Sequence, residues 1–261
     1  MSEPTHQELQ KIEDSVPAAQ QEEKKPFELR AGPSMAVLAI FIGLQFAVST
    51  ATSFLLSFSI ALYKGWQGHD IQHPDITLEI TQVVMAPATF AGVLFAGLLT
   101  LVLAKCWFRD QLTNREMDGG SWTLGSIKQV TAGLFLGASL SIFYLIVSSL
   151  LAPPNIDMGP LAEMAITPGY SQVLWVIMAV LIAPPVEELL FRGVLFAGFC
   201  RSWGALWAGT LSTTLFVLLH LPEMIHFLPA VFFLTIMATS ALLFRLKAKA
   251  IGPAIAVHLG Y

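Results

Sequence analysis

Long runs of apolar residues dominate this chain, and they leave it few folds to choose from. Six clear blocks and a short seventh run roughly over 35–63, 83–106, 130–152, 172–200, 204–221, 226–244 and 250–261. A helix needs about 20 apolar residues to cross the hydrocarbon core of a bilayer. Open strands or loops facing lipid would leave backbone groups without partners, so the blocks are predicted to be helices. Composition agrees, because 55% of the residues are apolar and only 12% charged, too few charges to cover a soluble domain of 261 residues. The expected fold is all-α, a polytopic transmembrane bundle of about seven spans.

The first block is longer than a bilayer requires and is expected to tilt or to emerge. The fourth contains Ala183-Pro184-Pro185. Proline removes a backbone donor and clashes with the preceding turn, so this span is predicted to be broken into two helices at a kink. The last block, 250–261, is short of the crossing length. Residues 1–34 are polar and too poor in apolar side chains to build a core, and are expected to form a disordered cytoplasmic tail ahead of a helical domain over 35–261. No cleavable signal peptide is recognised at the start.

Basic residues orient the bundle. Lys11, Lys24, Lys25 and Arg30 precede the first span, and Lys105, Arg109, Arg115 and Lys128 flank the connection between the second and third. Arg201 follows the fourth, and Arg245, Lys247 and Lys249 stand between the sixth and seventh. The alternate loops carry only Lys64, so the positive-inside rule puts the N-terminus in the cytoplasm of a multi-pass protein, most simply in a prokaryotic inner (plasma) membrane. The net charge of −4 gives no basic surface of the kind nucleic acid needs, so no nucleic-acid partner is expected. Cys106 and Cys200 are too few for a disulfide framework and are read as reduced thiols.

Ionisable groups inside a span are costly and by default mark function. Here they gather in Pro184-Pro185-Val186-Glu187-Glu188-Leu189-Leu190-Phe191-Arg192. Glu188 and Arg192 are four apart, on one helix face in the favourable acid-then-base order. Glu187 is turned about 100° away. Glu188 is therefore read as the structural carboxylate held by Arg192, and Glu187 as the free base; the plainer reading is a Glu–Arg staple with a spare Glu. His220 and His258, each in an apolar stretch, are the candidate partners: a Glu–His pair can deprotonate a water, and a second histidine can donate to an oxyanion. Drawn as straight rods, spans four and five leave Glu187 in the inner half of the membrane and His220 near the outer edge. His69, His73 and His226 fall in loops and are read as solvated. His220 and His226 are six apart with a proline between, which is not the spacing of a zinc-binding helix.

The series Glu187-Glu188-x-x-x-Arg192, Phe216-x-x-x-His220 and His258 resembles the motifs of the CPBP family of CAAX proteases and bacteriocin-processing enzymes, also called the Abi family, over about residues 170–261. The resemblance implies an intramembrane, glutamate-type endopeptidase without a cofactor. Glu187 resembles the water-activating glutamate and His220 its partner. Glu188 and Arg192 resemble the accompanying pair, Phe216 the packing aromatic of the second motif, and His258 the oxyanion histidine of the third. The implied substrate is a membrane-associated peptide or protein, prenylated in some members, met in a cavity expected to open toward the cytoplasm.

The third motif of that family is His-x-x-x-Asn, and its Asn would fall one position beyond Tyr261. The sequence is thus either a shortened form of a longer protein or one whose re-entrant last helix lacks that donor, a loss worth about 10²–10³ in rate. Three alternatives stay open: an inactive scaffold or immunity protein that kept the fold, a proton-coupled transporter, and a zinc variant with Glu187, Glu188, His220 and His258 as ligands.

Overall fold

The computed structural model describes residues 28–113, 122–152, 165, 169–225 and 227–261. Among these the chain forms seven helices: α1 (Ala31–Trp66), α2 (Pro74–Thr113), α3 (Ile127–Leu151), α4 (Tyr170–Trp203), α5 (Ala205–Met224), α6 (Leu228–Ala248) and α7 (Gly252–Gly260). The first six are long and apolar enough to cross a membrane, and α7 is not. The all-helical bundle expected from the apolar blocks is the fold observed.

α1 and α2 pair as a hairpin. A Cβ at Gly92 would collide with Ser49 Oγ and the Gln45 carbonyl, so only glycine allows the approach. At the other end of the pair, three chain segments are laced together. Leu29 N–H donates to Gln111 Oε1 (2.6 Å), Ala31 N–H to Ser202 Oγ (2.9 Å), and the Arg201 guanidinium to the Leu29 and Gln111 carbonyls (3.2 and 3.0 Å). Residues 28–34, expected as part of the tail, are therefore structured: Leu29 is fully buried and α1 begins at Ala31. The rest of the expected tail lies outside the described residues.

The prolines do not break the fourth span. α4 runs from Tyr170 to Trp203 with α-helical stretches joined by two π-helical ones, Ile177–Ile182 and Leu189–Leu195. Pro184 and Pro185 lack the N–H groups that would have met the carbonyls four residues back. The turn before them widens instead, with Ala183 N–H bonding to the Met178 carbonyl five residues back. The backbone stays in the right-handed helical region throughout (Ile182 φ −101°, ψ −52°; Ala183 φ −62°, ψ −48°). The two helices expected to meet at a kink are thus replaced by one continuous rod with widened turns, a feature frequent at functional sites.

α7 is seated on α3. Ser126 caps α3 in a reciprocal box with Gln129, and Thr123 just before it accepts the N–H groups of Ile251 and Gly252 (3.1 Å each). Added Cβ atoms at Gly133 and Gly137 of α3 would collide with the Pro253 and Val257 carbonyls of α7, and one at Gly260 with the Leu134 carbonyl. Small residues four apart let two backbones touch, and in lipid such close packing drives association. α6 ends at Lys249 in the left-handed region (φ 51°). Arg245, read from the sequence as a loop residue, belongs to the last turn of α6 and is buried, its guanidinium 4.2 Å over the Phe196 ring.

Candidate active site

Gly204 (φ 84°) turns α4 directly into α5, and the side chains on either side of that turn can be placed by counting. Glu187 stands 16 residues before Trp203, and His220 stands 15 after Ala205. Counts that differ by one from a shared hairpin put the two at nearly one level, which corrects the straight-rod picture that separated them. α7 brings His258 to the same place, because its parallel seat on α3 carries it inward.

The four site residues and Arg192 meet. Glu188, fully buried, accepts from Arg192 Nη1 (2.9 Å) and from His258 Nδ1 (3.1 Å), both on Oε1. Arg192, also fully buried, donates its Nη2 to the Ala238 carbonyl of α6 (2.8 Å) and lies 4.5 Å over the ring of Phe216. Glu187 points elsewhere, as its different helix face requires. Its Oε2 is 3.8 Å from His220 Nε2 and 3.8 Å from His258 Nε2. The side chains of Glu187, His220 and His258 keep 19%, 28% and 13% of their exposure, while those of Glu188 and Arg192 keep none. One carboxylate is thus locked and the other reachable.

Hydrogen bonds fix the tautomers. A carbonyl oxygen only accepts, so the 2.8 Å contact between His220 Nδ1 and the Phe216 carbonyl puts the proton on Nδ1. The Glu188 carboxylate, neutralised by Arg192, likewise accepts a hydrogen bond from His258 Nδ1–H. In its neutral form each imidazole then presents the lone pair of Nε2 toward Glu187 Oε2. Three acceptors facing one gap call for a donor with hydrogens to share, and 3.8 Å is the separation that a bridging water accommodates.

Phe216 forms the floor. Its ring stacks on His220 (centroids 4.5 Å), meets His258 edge-on (5.6 Å) and Phe191 edge-on (5.1 Å), and carries Arg192 on one face. Among the described residues, no group of three or more His, Cys, Asp or Glu side chains converges in a geometry able to hold a metal ion.

His69 and His73 lie exposed near the α1–α2 turn, His73 with Asp75 at 3.5 Å, and neither reaches the site; His226 lies outside the described residues. The sequence reading missed the Ala238 carbonyl, which carries no side-chain signal. It also missed Gly133 and Gly137, whose spacing in an apolar helix is a recognisable signal for close helix packing.

The three motifs thus arrive at one point in space. Residues 169–261 match the family model described as Type II CAAX prenyl endopeptidase Rce1-like. This Rce1-like segment begins one residue before α4 and takes in α4 to α7, leaving α1 to α3 outside the match. No curated protein and no solved structure matches the chain. The resemblance to the CPBP family falls on the same segment, and with the six long apolar helices it makes this a multi-pass membrane protein whose C-terminal part is similar to that endopeptidase family.

Proposed function

We propose that the chain is an intramembrane endopeptidase in which Glu187 and His220 activate a water against a peptide carbonyl. The observation that carries this reading is the convergence of both Nε2 atoms on one partly exposed carboxylate oxygen, with Nδ1 of each ring held from behind, by the Phe216 carbonyl and by Glu188 Oε1.

In this mechanism a water sits between Glu187 Oε2 and His220 Nε2. Its proton passes to that pair as its oxygen bonds to the carbonyl carbon, and the carbonyl π electrons move to the oxygen. When the tetrahedral intermediate collapses, the C–N bond breaks and the proton goes to the leaving amine. His258, with Nε2 facing the gap, stabilises the oxyanion when Nε2 carries a proton. Glu188 and Arg192 position His258 and do not touch the substrate. The reaction so written needs no metal. The substrate is a membrane-associated peptide or protein segment, and whether it carries a lipid is a matter for the substrate panel. The positive-inside rule supports a cytoplasmic N-terminus and cytoplasmic basic loops.

Purified full-length protein with a panel of fluorogenic peptides tests the reading. Glu187→Gln keeps the shape and removes the base, and is expected to lower kcat/KM by about 10²–10⁴ with the fold intact. Cleavage at the wild-type rate in that variant excludes Glu187 as the base.

A further inference from the structure

The surroundings of α4 change at the site. Below it, toward Trp203 and the basic loops, every residue from Leu190 to Phe199 is buried. The face of α5 that carries His220 is closed in the same direction, with Phe216, Ser212 and Ala208 each fully buried. Under His258, Val257 and Ala254 are fully buried, and the Arg192–Phe216 stack closes the centre. Above the site the picture reverses. α5 ends at Met224, four residues past His220 or about 6 Å of rise, and α4 continues to Tyr170 with Val173, Val176, Val180 and Leu181 exposed.

Resting on the endopeptidase reading, we infer that the Glu187–His220 cup is entered from the end of the bundle opposite the basic loops, along the exposed apolar upper half of α4. The floor is sealed toward the basic end, where Arg201, Lys247 and Lys249 lie, so neither water nor peptide reaches Glu187 from there. This reverses the cytoplasmic opening expected from the sequence. The wall that leads to Glu187 is valine and leucine, so the segment delivered along it is apolar next to the cleaved bond.

The test uses full-length protein in sealed vesicles of both orientations and a membrane-impermeant maleimide, with Cys200→Ser to leave one native thiol. Cys106, exposed beside Lys105, marks the basic face. Ile225→Cys, at an exposed position just past His220, marks the other face, and His220→Cys reports the site. The expected result is that His220→Cys is labelled from the same face as Ile225→Cys and not from the face that labels Cys106. Labelling of His220→Cys from the Cys106 face, or from neither, overturns the inference.

Because His220→Cys alters the site itself, the unsubstituted protein supplies a second readout. An impermeant peptide is cleaved when supplied on the Ile225 face, and cleavage confined to the Cys106 face overturns the route. In the same vesicles an apolar peptide is expected to be cleaved at least tenfold faster than one with acidic residues flanking the bond, and equal rates remove the apolar wall from the path. In detergent both faces are open, so absence of any cleavage there counts against the endopeptidase reading, while the labelling pattern still decides the route.

Discussion

From Leu190 to Phe199 no residue of α4 is exposed, whereas from Tyr170 to Leu181 only Ser171 and Met178 are buried. One helix thus serves two purposes on either side of Glu187. Its lower half is an anchor, gripped by α1, α2, α5 and α6, and it carries the immobile pair of Glu188 and Arg192. Its upper half leans on α2, with the Tyr170 hydroxyl donating to the Val83 carbonyl (2.6 Å), and leaves Val173, Val176, Val180 and Leu181 exposed. The difference teaches where rigidity is spent: the carboxylate that orients His258 is rooted in the packed half, and the carboxylate that faces the gap stands at the boundary, where a substrate can arrive.

The comparison can be broken by substitution on either side of the boundary. Arg192→Ala removes the counter-charge of a buried carboxylate and the donor to the Ala238 carbonyl, and is expected to cost about 3–5 kcal/mol of stability, read by unfolding in mixed micelles. A loss under about 1 kcal/mol would mean that Glu188 is not held as a buried anion. Next in size, Leu195→Ala in the anchor is expected to cost about 2–5 kcal/mol, because it opens a cavity in a closed core. Leu181→Ala in the wall, where the side chain is 61% exposed, is expected to stay within about 0.5 kcal/mol of the parent. Similar losses at both positions would erase the distinction between the halves.

A smaller effect sharpens the role of the unmatched N-terminal helices. Gly137→Ala puts a Cβ against the Val257 carbonyl, so α7 must shift. The expected cost is about 1–3 kcal/mol in stability, together with a fall in kcat as His258 leaves its place beside Glu187. Stability lost with kcat unchanged would show that the seat of α7 matters to folding and not to the position of its histidine.

Much of this was legible in the sequence, and what was not has physical reasons. The spans follow from the apolar blocks, since a bilayer allows little else. The pairing of Glu188 with Arg192 and the separate facing of Glu187 follow from helical spacing, and the geometry agrees: Arg192 bonds Glu188 alone, His220 stands by Glu187 alone, and His258 lies between the two carboxylates. The level of His220 was within reach of counting from Gly204, but straight rods drawn through a supposed proline break concealed it. The π turns of α4 were not legible, because a five-residue hydrogen-bond step has no strong local preference and depends on neighbours that hold the widened backbone. Arg245 looked like a loop residue because burial at a helix end is decided by what packs over it, here Phe196.

The central claim is that Glu187 and His220 act as a unit on one water, and a double-mutant cycle tests it most directly. kcat/KM is measured on one peptide for the parent, Glu187→Gln, His220→Gln and the double variant. Residues that act as a unit are strongly non-additive, so the account predicts a double variant no more than about threefold worse than the poorer single variant. Losses that multiply, each residue costing the same whether or not the other is present, would contradict it.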